Sequence, residues 1–208
     1  MSKKAMMSEE QLNLYHAEKM KKKKAVREKI DAQKTVEKGL LVVNTGKGKG
    51  KSTAAFGTIF RALGHGMKVG VVQFGKGSRL TGERIALEKF SDLVRVFAAG
   101  EGFTWETQDR AKDVKMAEEA WDIAKEMILD DQTEVVLCDE LNIVLRYDYL
   151  SLDEVLAVLR ARPAGKHVIV TGRNARDEMI EAADLVTDME LVKHPFRAGV
   201  KAQKGIEF

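Results

Sequence analysis

The chain has one cysteine, Cys138, among its 208 residues. No internal disulfide can therefore form, which favours a reducing compartment. Cys138 lies inside an apolar run, where a small buried hydrophobe is the simplest interpretation. We therefore predict a packing role for this side chain.

Long apolar runs and a strong net charge are also missing. No segment approaches the roughly 20 apolar residues that span a bilayer, and the polar, lysine-rich start does not resemble a secretory signal. The formal net charge of +3 is too small to argue for nucleic acid. No histidine has a partner at metal-ligand spacing, which argues against a zinc or haem site. These features predict a cytoplasmic protein with neither a membrane nor a nucleic-acid partner.

The most informative stretch is an apolar run, residues 40–45, that ends in a glycine-rich turn and opens a helix. The turn contains Gly46, Lys47, Gly48, Lys49, Gly50, Lys51, Ser52 and Thr53. Glycines let backbone N–H groups approach a phosphate, and the helix N-terminus and Lys51 add positive charge. A hydroxyl in the position of Ser52 commonly binds Mg²⁺. The pattern predicts a polyphosphate-binding loop, with a lysine-rich surface turn as the alternative.

The spacing of this loop departs from the usual one. Four residues normally separate a first glycine from Gly-Lys-Ser/Thr, and that first position is Thr45 here. The departure suggests a nucleotide site that differs from an ordinary hydrolase.

From Gly39 onward, apolar runs alternate with helical patterns. We predict strands over residues 40–45, 67–74, 93–97, 134–138, 167–171 and 185–192, and helices over 52–63, 83–90, 108–129, 152–160 and 177–183. Continuous Val/Ile/Leu runs are typical of parallel strands covered by helices on both faces. The predicted fold is therefore α/β and P-loop NTPase-like, with a mostly parallel, doubly wound sheet of about six strands.

Residues 39–208, which contain these strands and helices, are predicted to form a nucleotide-binding catalytic domain. Residues 1–38 differ from it. They contain four consecutive lysines at 21–24, no glycine and no proline, and Val26 and Ile30 lie one helical turn apart. We predict a lysine-rich helical extension. A solvated tail, a lid over the nucleotide and an arm to a partner subunit remain open, while a nucleic-acid arm lacks interleaved aromatics.

Two further loops are expected beside the phosphate loop, because parallel sheets bind ligands at the carboxyl ends of their strands. Asp139 and Glu140 follow an apolar strand, as in sites where carboxylates hold Mg²⁺. The alternative is that they cap the next helix. Arg173 follows the fifth strand and either braces a phosphate or caps the sheet edge. Residues 75–77 follow the second strand and either contact a phosphate or second substrate or form a plain flexible turn.

An aromatic loop at residues 102–108 contains Phe103 and Trp105. These rings either pin the loop to the core or form a flat wall for a planar ligand.

Taken together, these blocks resemble the P-loop type of ATP:corrinoid adenosyltransferase. The resemblance covers about residues 39–208, and it rests on residues 45–57, 61–66, 71–74, 102–108, 139–141, 193–196 and 198–203. Many families share the phosphate loop, whereas residues 103–108 and the carboxy-terminal block are together far more specific. It implies that the reduced Co(I) of a corrinoid attacks the 5′ carbon of ATP and releases triphosphate, with ATP bound in the reverse sense.

The resemblance also implies roles for particular residues. Phe103 and Trp105 would face the corrinoid, and Lys51 would stabilise the departing triphosphate. Mg²⁺ or Mn²⁺ would be held by Ser52 and by Asp139 or Glu140. Lys47 stands where asparagine is expected, which adds charge to the loop.

The partners implied are an electron donor of flavin or flavoprotein type and a second subunit of a homodimer. The amino-terminal helix would cover an active site. The loop and the acidic strand alone also permit an ordinary ATPase or small-molecule kinase that acts at the γ-phosphate.

Overall fold

The computed structural model describes residues 7–75, 81–99 and 109–207. It contains two compact units, which divide between Glu37 and Lys38. Phe103, Trp105 and residues 76–77, to which the sequence assigns ligand contacts, lie outside the described residues.

The first unit contains one long helix, α1 (Glu9–Asp31). Its start is fixed by a capping box: Gln11 N donates to Ser8 Oγ at 3.3 Å, and Ser8 N donates to Gln11 Oε1 at 3.0 Å. No residue of α1 is buried. Capping and exposed pairs such as Arg27–Asp31 therefore support a helix that buries no core face of its own.

The second unit is built on a parallel sheet. Its strands are β1 (Leu41–Thr45), β2 (Val69–Gln73), β3 (Val94–Ala98), β4 (Val135–Asp139), β5 (His167–Thr171) and β6 (Leu185–Asp188). Their order is β3-β2-β4-β5-β1-β6, and every neighbouring pair is parallel. The predicted six-stranded α/β sheet is confirmed.

Helices connect these strands. They are α2 (Lys51–Gly64), α3 (Gly82–Leu87), α4 (Arg110–Leu129), α5 (Leu141–Arg146), α6 (Leu152–Ala161) and α7 (Asp177–Ala182), with 3-10 turns at Glu88–Phe90 and Pro195–Ala198. Ser151 Oγ accepts from Glu154 N, at the predicted start of α6. Helix α5 was predicted as loop, because only Glu140 separates it from β4 and no side-chain cap marks its start.

Two apolar clusters cover the two faces of the sheet. Alternate residues of each central strand point to opposite faces. In β4, Leu137 packs with α2 and α3, while Cys138 packs with α4, α5 and α6. Cys138 is fully buried, as predicted, and burial raises the pKa of its thiol to about 12.

The edge strand β6 is shorter than predicted. It ends at Asp188 rather than at residue 192, since Met189 O accepts a hydrogen bond from Gly48 N and leads the chain onto the glycine-rich loop. All four of its residues are exposed, in keeping with its place at the edge of the sheet. The carboxyl ends of the strands nevertheless meet at one edge, where the functional side chains gather.

Candidate active site

The glycine-rich loop joins the end of β1 to the start of α2. Gly46 and Gly50 have φ of 99° and 110°, a left-handed backbone that only glycine adopts without strain. Gly50 is the N-cap of α2 and makes no side-chain cap hydrogen bond. The backbone therefore turns sharply and presents the N-terminus of α2 to the edge of the sheet, as an anion site requires.

Lys51 is the first residue of α2, and only 8% of its surface is exposed. Its Nζ donates to Gly48 O at 2.5 Å, so the amine folds back over the loop. Burial lowers the pKa of Lys51; Arg173 and Lys49 act in the same direction, whereas Glu140 opposes them. A partly desolvated cation with other cations nearby favours a polyanionic ligand.

Asp139 ends β4 and is fully buried. Its Oδ1 accepts from Thr171 Oγ1 at 2.7 Å, and its Oδ2 accepts from Gln73 Nε2 at 3.2 Å. These donors come from β5 and β2, the two strands that flank β4. The neighbouring strands thus hold the carboxylate in one orientation.

Glu140 follows with a left-handed backbone, φ 67° and ψ 17°. This conformation costs a residue with a Cβ about 1–3 kcal/mol, and non-glycine residues with a left-handed backbone concentrate at functional sites. The N–H of Glu140 donates to Thr171 Oγ1 at 2.9 Å, which helps to hold the turn. Glu140 is also the N-cap of α5, although without a side-chain cap hydrogen bond.

Four polar residues of this edge were missed as site residues by the sequence prediction. Thr45, at the position of the missing first glycine, is buried, and its Oγ1 accepts from Ala175 N at 3.1 Å. Asn44 Nδ2 donates to Lys51 O at 3.3 Å. Like Gln73 and Thr171, these residues end apolar strands with a polar side chain, and that shared position is the signal that would have found them.

The remaining predicted residues surround this centre. Lys47, Lys49 and Thr53 are exposed, and Ser52 is half-buried in the first turn of α2. Lys47 lines a cavity of about 500 Å³ together with Asn174.

The structure brings Lys51, Glu140 and Arg173 close enough for their charges to interact. Asp139 lies beside Glu140 at the end of β4. A triphosphate placed on the loop would meet cations and helix N–H groups, and the carboxylate of Glu140 lies close enough to Lys51 for their charges to interact. This arrangement can stabilise a leaving polyphosphate.

Comparison with known proteins identifies the family. The model of the ATP:corrinoid adenosyltransferase BtuR/CobO/CobP family matches residues 37–208. The chain belongs to this family. The adenosyltransferase prediction made from residues 39–208 is therefore confirmed at the level of family and enzyme class.

Several adenosyltransferases are similar over nearly their whole length. A corrinoid adenosyltransferase of a Sinorhizobium species is 62% identical over 195 residues, which cover 93% of this chain and 91% of the relative. The Pseudomonas aeruginosa protein of that name is 56% identical over 193 residues, covering 93% and 95%. The Escherichia coli K12 protein is 50% identical over 186 residues, covering 88% and 94%.

Among solved structures, domain III of the replication initiation protein DnaA of Thermotoga maritima aligns with a TM-score of 0.36 and 12% identity. The alignment covers 72% of this chain and 54% of that one. A likeness of this size supports no argument about function. No described helix of this adenosyltransferase is long and apolar enough to cross a membrane.

Proposed function

We propose that this protein transfers the 5′-deoxyadenosyl group of ATP to the Co(I) centre of a reduced corrinoid. The cobalt electron pair forms a bond to the 5′ carbon, the bond from that carbon to the 5′ oxygen breaks, and triphosphate leaves with the bonding electrons. No proton moves in this displacement. The observation that supports the proposal most is the carboxyl edge of the sheet, where loop N–H groups and cations fit a polyphosphate. The chain belongs to the adenosyltransferase family over residues 37–208.

Lys51 stabilises the leaving triphosphate. Its amine is buried and held by a hydrogen bond to the loop carbonyl of Gly48. A preorganised cation of this kind needs little rearrangement as negative charge grows on the departing oxygen. Loop N–H groups and Arg173 add to the same field, and Gly46, Gly48 and Gly50 let the phosphates approach.

The donor set of the edge fits Mg²⁺. Magnesium is held by one or two protein oxygens together with phosphate and water oxygens. Ser52 and Glu140 supply a hydroxyl and a carboxylate, while Asp139, held by Thr171 and Gln73, positions the turn that carries Glu140. When bound, the ion neutralises phosphate charge.

The corrinoid lies against Phe103 and Trp105 in this proposal. Two aromatic rings offer a flat apolar surface to a planar ring system, and exclusion of the lower axial ligand makes Co(II) easier to reduce. An electron donor of flavin or flavoprotein type supplies the electron. In this proposal the protein works as a homodimer in the cytoplasm.

An anaerobic spectroscopic assay tests the reaction. The protein is mixed with chemically reduced cob(I)alamin and Mg-ATP, and the corrinoid spectrum is followed. We expect conversion to an alkylcobalamin that light cleaves. An unchanged corrinoid spectrum with turnover of ATP would contradict the proposal and favour ordinary γ-phosphate chemistry.

Replacement of one aromatic ring tests the corrinoid surface. Trp105→Ala should lower the rate of adenosyl transfer by roughly tenfold or more while the affinity for Mg-ATP stays within about twofold, because the ring contacts only the corrinoid. Calorimetry of ATP binding and the anaerobic assay measure the two effects. Equal losses in both would contradict the role given to Trp105.

A further inference from the structure

The segment after β6 passes directly over the glycine-rich loop. We call residues Met189–Glu207 the carboxy-terminal strap. It contains the block 193–203, which marks the family resemblance but has no role in the chemistry described above. The inference about the strap rests on the proposed function, since it concerns how the loop is prepared for ATP.

The near end of the strap is bound to the loop through the main chain. Met189 N donates to Thr45 O at 2.9 Å, which extends the pairing of β6 with β1 by one residue. Gly48 N then donates to Met189 O at 2.6 Å. One N–H group of the phosphate loop is thus held by the strap.

Close packing at this contact requires two of the glycines. A Cβ on Gly46 would lie 2.5 Å from the backbone N and O of Met189, and a Cβ on Gly48 would lie 2.5 Å from Glu190 O. A Cβ atom essentially never lies within 3.0 Å of a non-bonded heavy atom, so a side chain at either position would displace the strap. Gly48 lacks the left-handed backbone of Gly46 and Gly50, so space for the strap is its own separate reason to be glycine.

The far end of the strap returns to the same loop. Lys49 Nζ donates to the carboxylate of Glu207, a contact between residues 158 positions apart. The Glu207 side chain is 17% exposed and that of Lys49 is 59% exposed. The hydrogen bond from Lys49 lowers the pKa of Glu207, so the carboxylate is charged at neutral pH.

We propose that the carboxy-terminal strap positions the phosphate loop for ATP through the Gly48–Met189 main-chain bond and the Lys49–Glu207 ion pair. Glu207 is a positioning residue that acts through Lys49. The strap limits the conformations that the glycine-rich loop can adopt before ATP binds. Less conformational entropy is then lost when ATP orders the loop. It also offsets part of the repulsion among the clustered lysines 47, 49 and 51.

Calorimetric titration with Mg-ATP, and separately with Mg-tripolyphosphate, tests this role. Glu207→Gln removes the charge and keeps the size of the side chain. Glu181→Gln, on the exposed face of α7, removes the same charge away from the loop and is the matched control. Glu207→Asp keeps the charge, and Lys49→Gln is combined with Glu207→Gln to complete a double-mutant cycle.

We expect Glu207→Gln to lower the affinity for both ligands by about two- to fivefold, which is the range of the contribution of a partly exposed ion pair. Glu207→Asp should restore part of the affinity, and Glu181→Gln should leave it unchanged. In the Lys49→Gln background, Glu207→Gln should have no further effect. The loss of ATP affinity should appear as a higher KM with kcat within about twofold.

Three results would overturn the inference. These are equal or tighter binding by Glu207→Gln, an equal loss in the Glu181→Gln control, and an undiminished effect of Glu207→Gln when Lys49 is absent. Failure of the unaltered protein to bind Mg-ATP would overturn the proposed function itself, and the strap's role with it. Normal binding of ATP without corrinoid turnover would contradict the reaction and leave the strap result valid.

Discussion

The two ends of the parallel sheet both carry buried polar groups, yet they satisfy them differently. At the amino end, Lys166 is buried and its Nζ donates to Met127 O at 2.7 Å, to Asp130 O at 2.5 Å and to Asp130 Oδ1 at 3.0 Å. Burial alone would raise the pKa of Asp130, but hydrogen bonds from Thr133 and Lys166 outweigh it and hold that pKa below 3.8.

The carboxyl end keeps strain and unused hydrogen-bonding capacity. Glu140 has a left-handed backbone, and Gln73 Oε1 and Asn142 Oδ1 are buried without a hydrogen-bond partner among the described residues. Unmet polar groups and strained backbones are costly and are found where a ligand or a mechanism uses them. The polar groups at the amino end therefore stabilise the fold, while those at the carboxyl end are suited to binding a ligand.

The largest effect is expected from a substitution at the carboxyl end of the sheet. Lys51→Ala should reduce kcat/KM for adenosyl transfer by about a thousandfold, because the proposed mechanism makes this lysine the main cation that stabilises the leaving triphosphate. Because burial disfavours the charged amine, the free energy of unfolding should not fall by more than about 1 kcal/mol. The anaerobic assay and urea denaturation measure the two quantities. A loss of folding equal to the loss of activity would contradict this division of roles.

The matching change at the amino end is Lys166→Met. It should lower the free energy of unfolding by about 2–4 kcal/mol, because Asp130 and two carbonyls lose a buried charged donor. Activity per folded molecule should stay within about twofold. Urea denaturation provides the measurement, and Lys125→Met on the exposed side of α4 is the control.

A smaller effect is expected from Thr171→Val, which keeps the shape of a fully buried side chain. The change removes the donor to Asp139 and the acceptor for Glu140 N. We expect a loss of about 1–2 kcal/mol in stability and of roughly tenfold in kcat/KM. Thr187→Val on the exposed strand β6 should change neither quantity, and a similar loss there would show that the effect is not specific to the Asp139 network.

The smallest effect is a dependence of ATP affinity on pH. Burial lowers the pKa of Lys51 below 10.5 in the free protein, and a bound triphosphate favours the charged amine. Affinity should therefore be full below the lowered pKa and should fall as the pH rises through it, by at most about tenfold for each pH unit. Calorimetry across alkaline pH measures this. Lys51→Arg stays charged and should bind with a flatter profile; an equally steep profile would assign the titration to another group.

Much of the fold was readable from the sequence because its strands are continuous apolar runs. Strand β5 was predicted at its observed bounds, and the alternation of strands and helices predicted the parallel sheet. Helix α5 was missed, because it begins one residue after β4 and no side-chain cap marks its start. The end of β6 was misplaced, because a contact with the distant Gly48 decides where the chain turns.

The candidate site was predicted in part for the same reason. Local spacing in the sequence predicted the loop glycines, Lys51 and the acidic pair. A polar side chain at the end of an apolar strand marks Gln73, Asp139 and Thr171 one by one. Their hydrogen bonds join three strands that are distant in sequence, so the sequence does not show which side chains pair. The contact between Lys49 and Glu207 is equally nonlocal.

The phosphorus product of a single turnover tests the central claim most directly. Protein, cob(I)alamin and Mg-ATP are mixed without oxygen, and the products are examined by phosphorus NMR. We predict tripolyphosphate in an amount equal to the adenosylated corrinoid, because the carbon–oxygen bond at the 5′ carbon is the one that breaks. ADP with inorganic phosphate in place of tripolyphosphate would contradict the account.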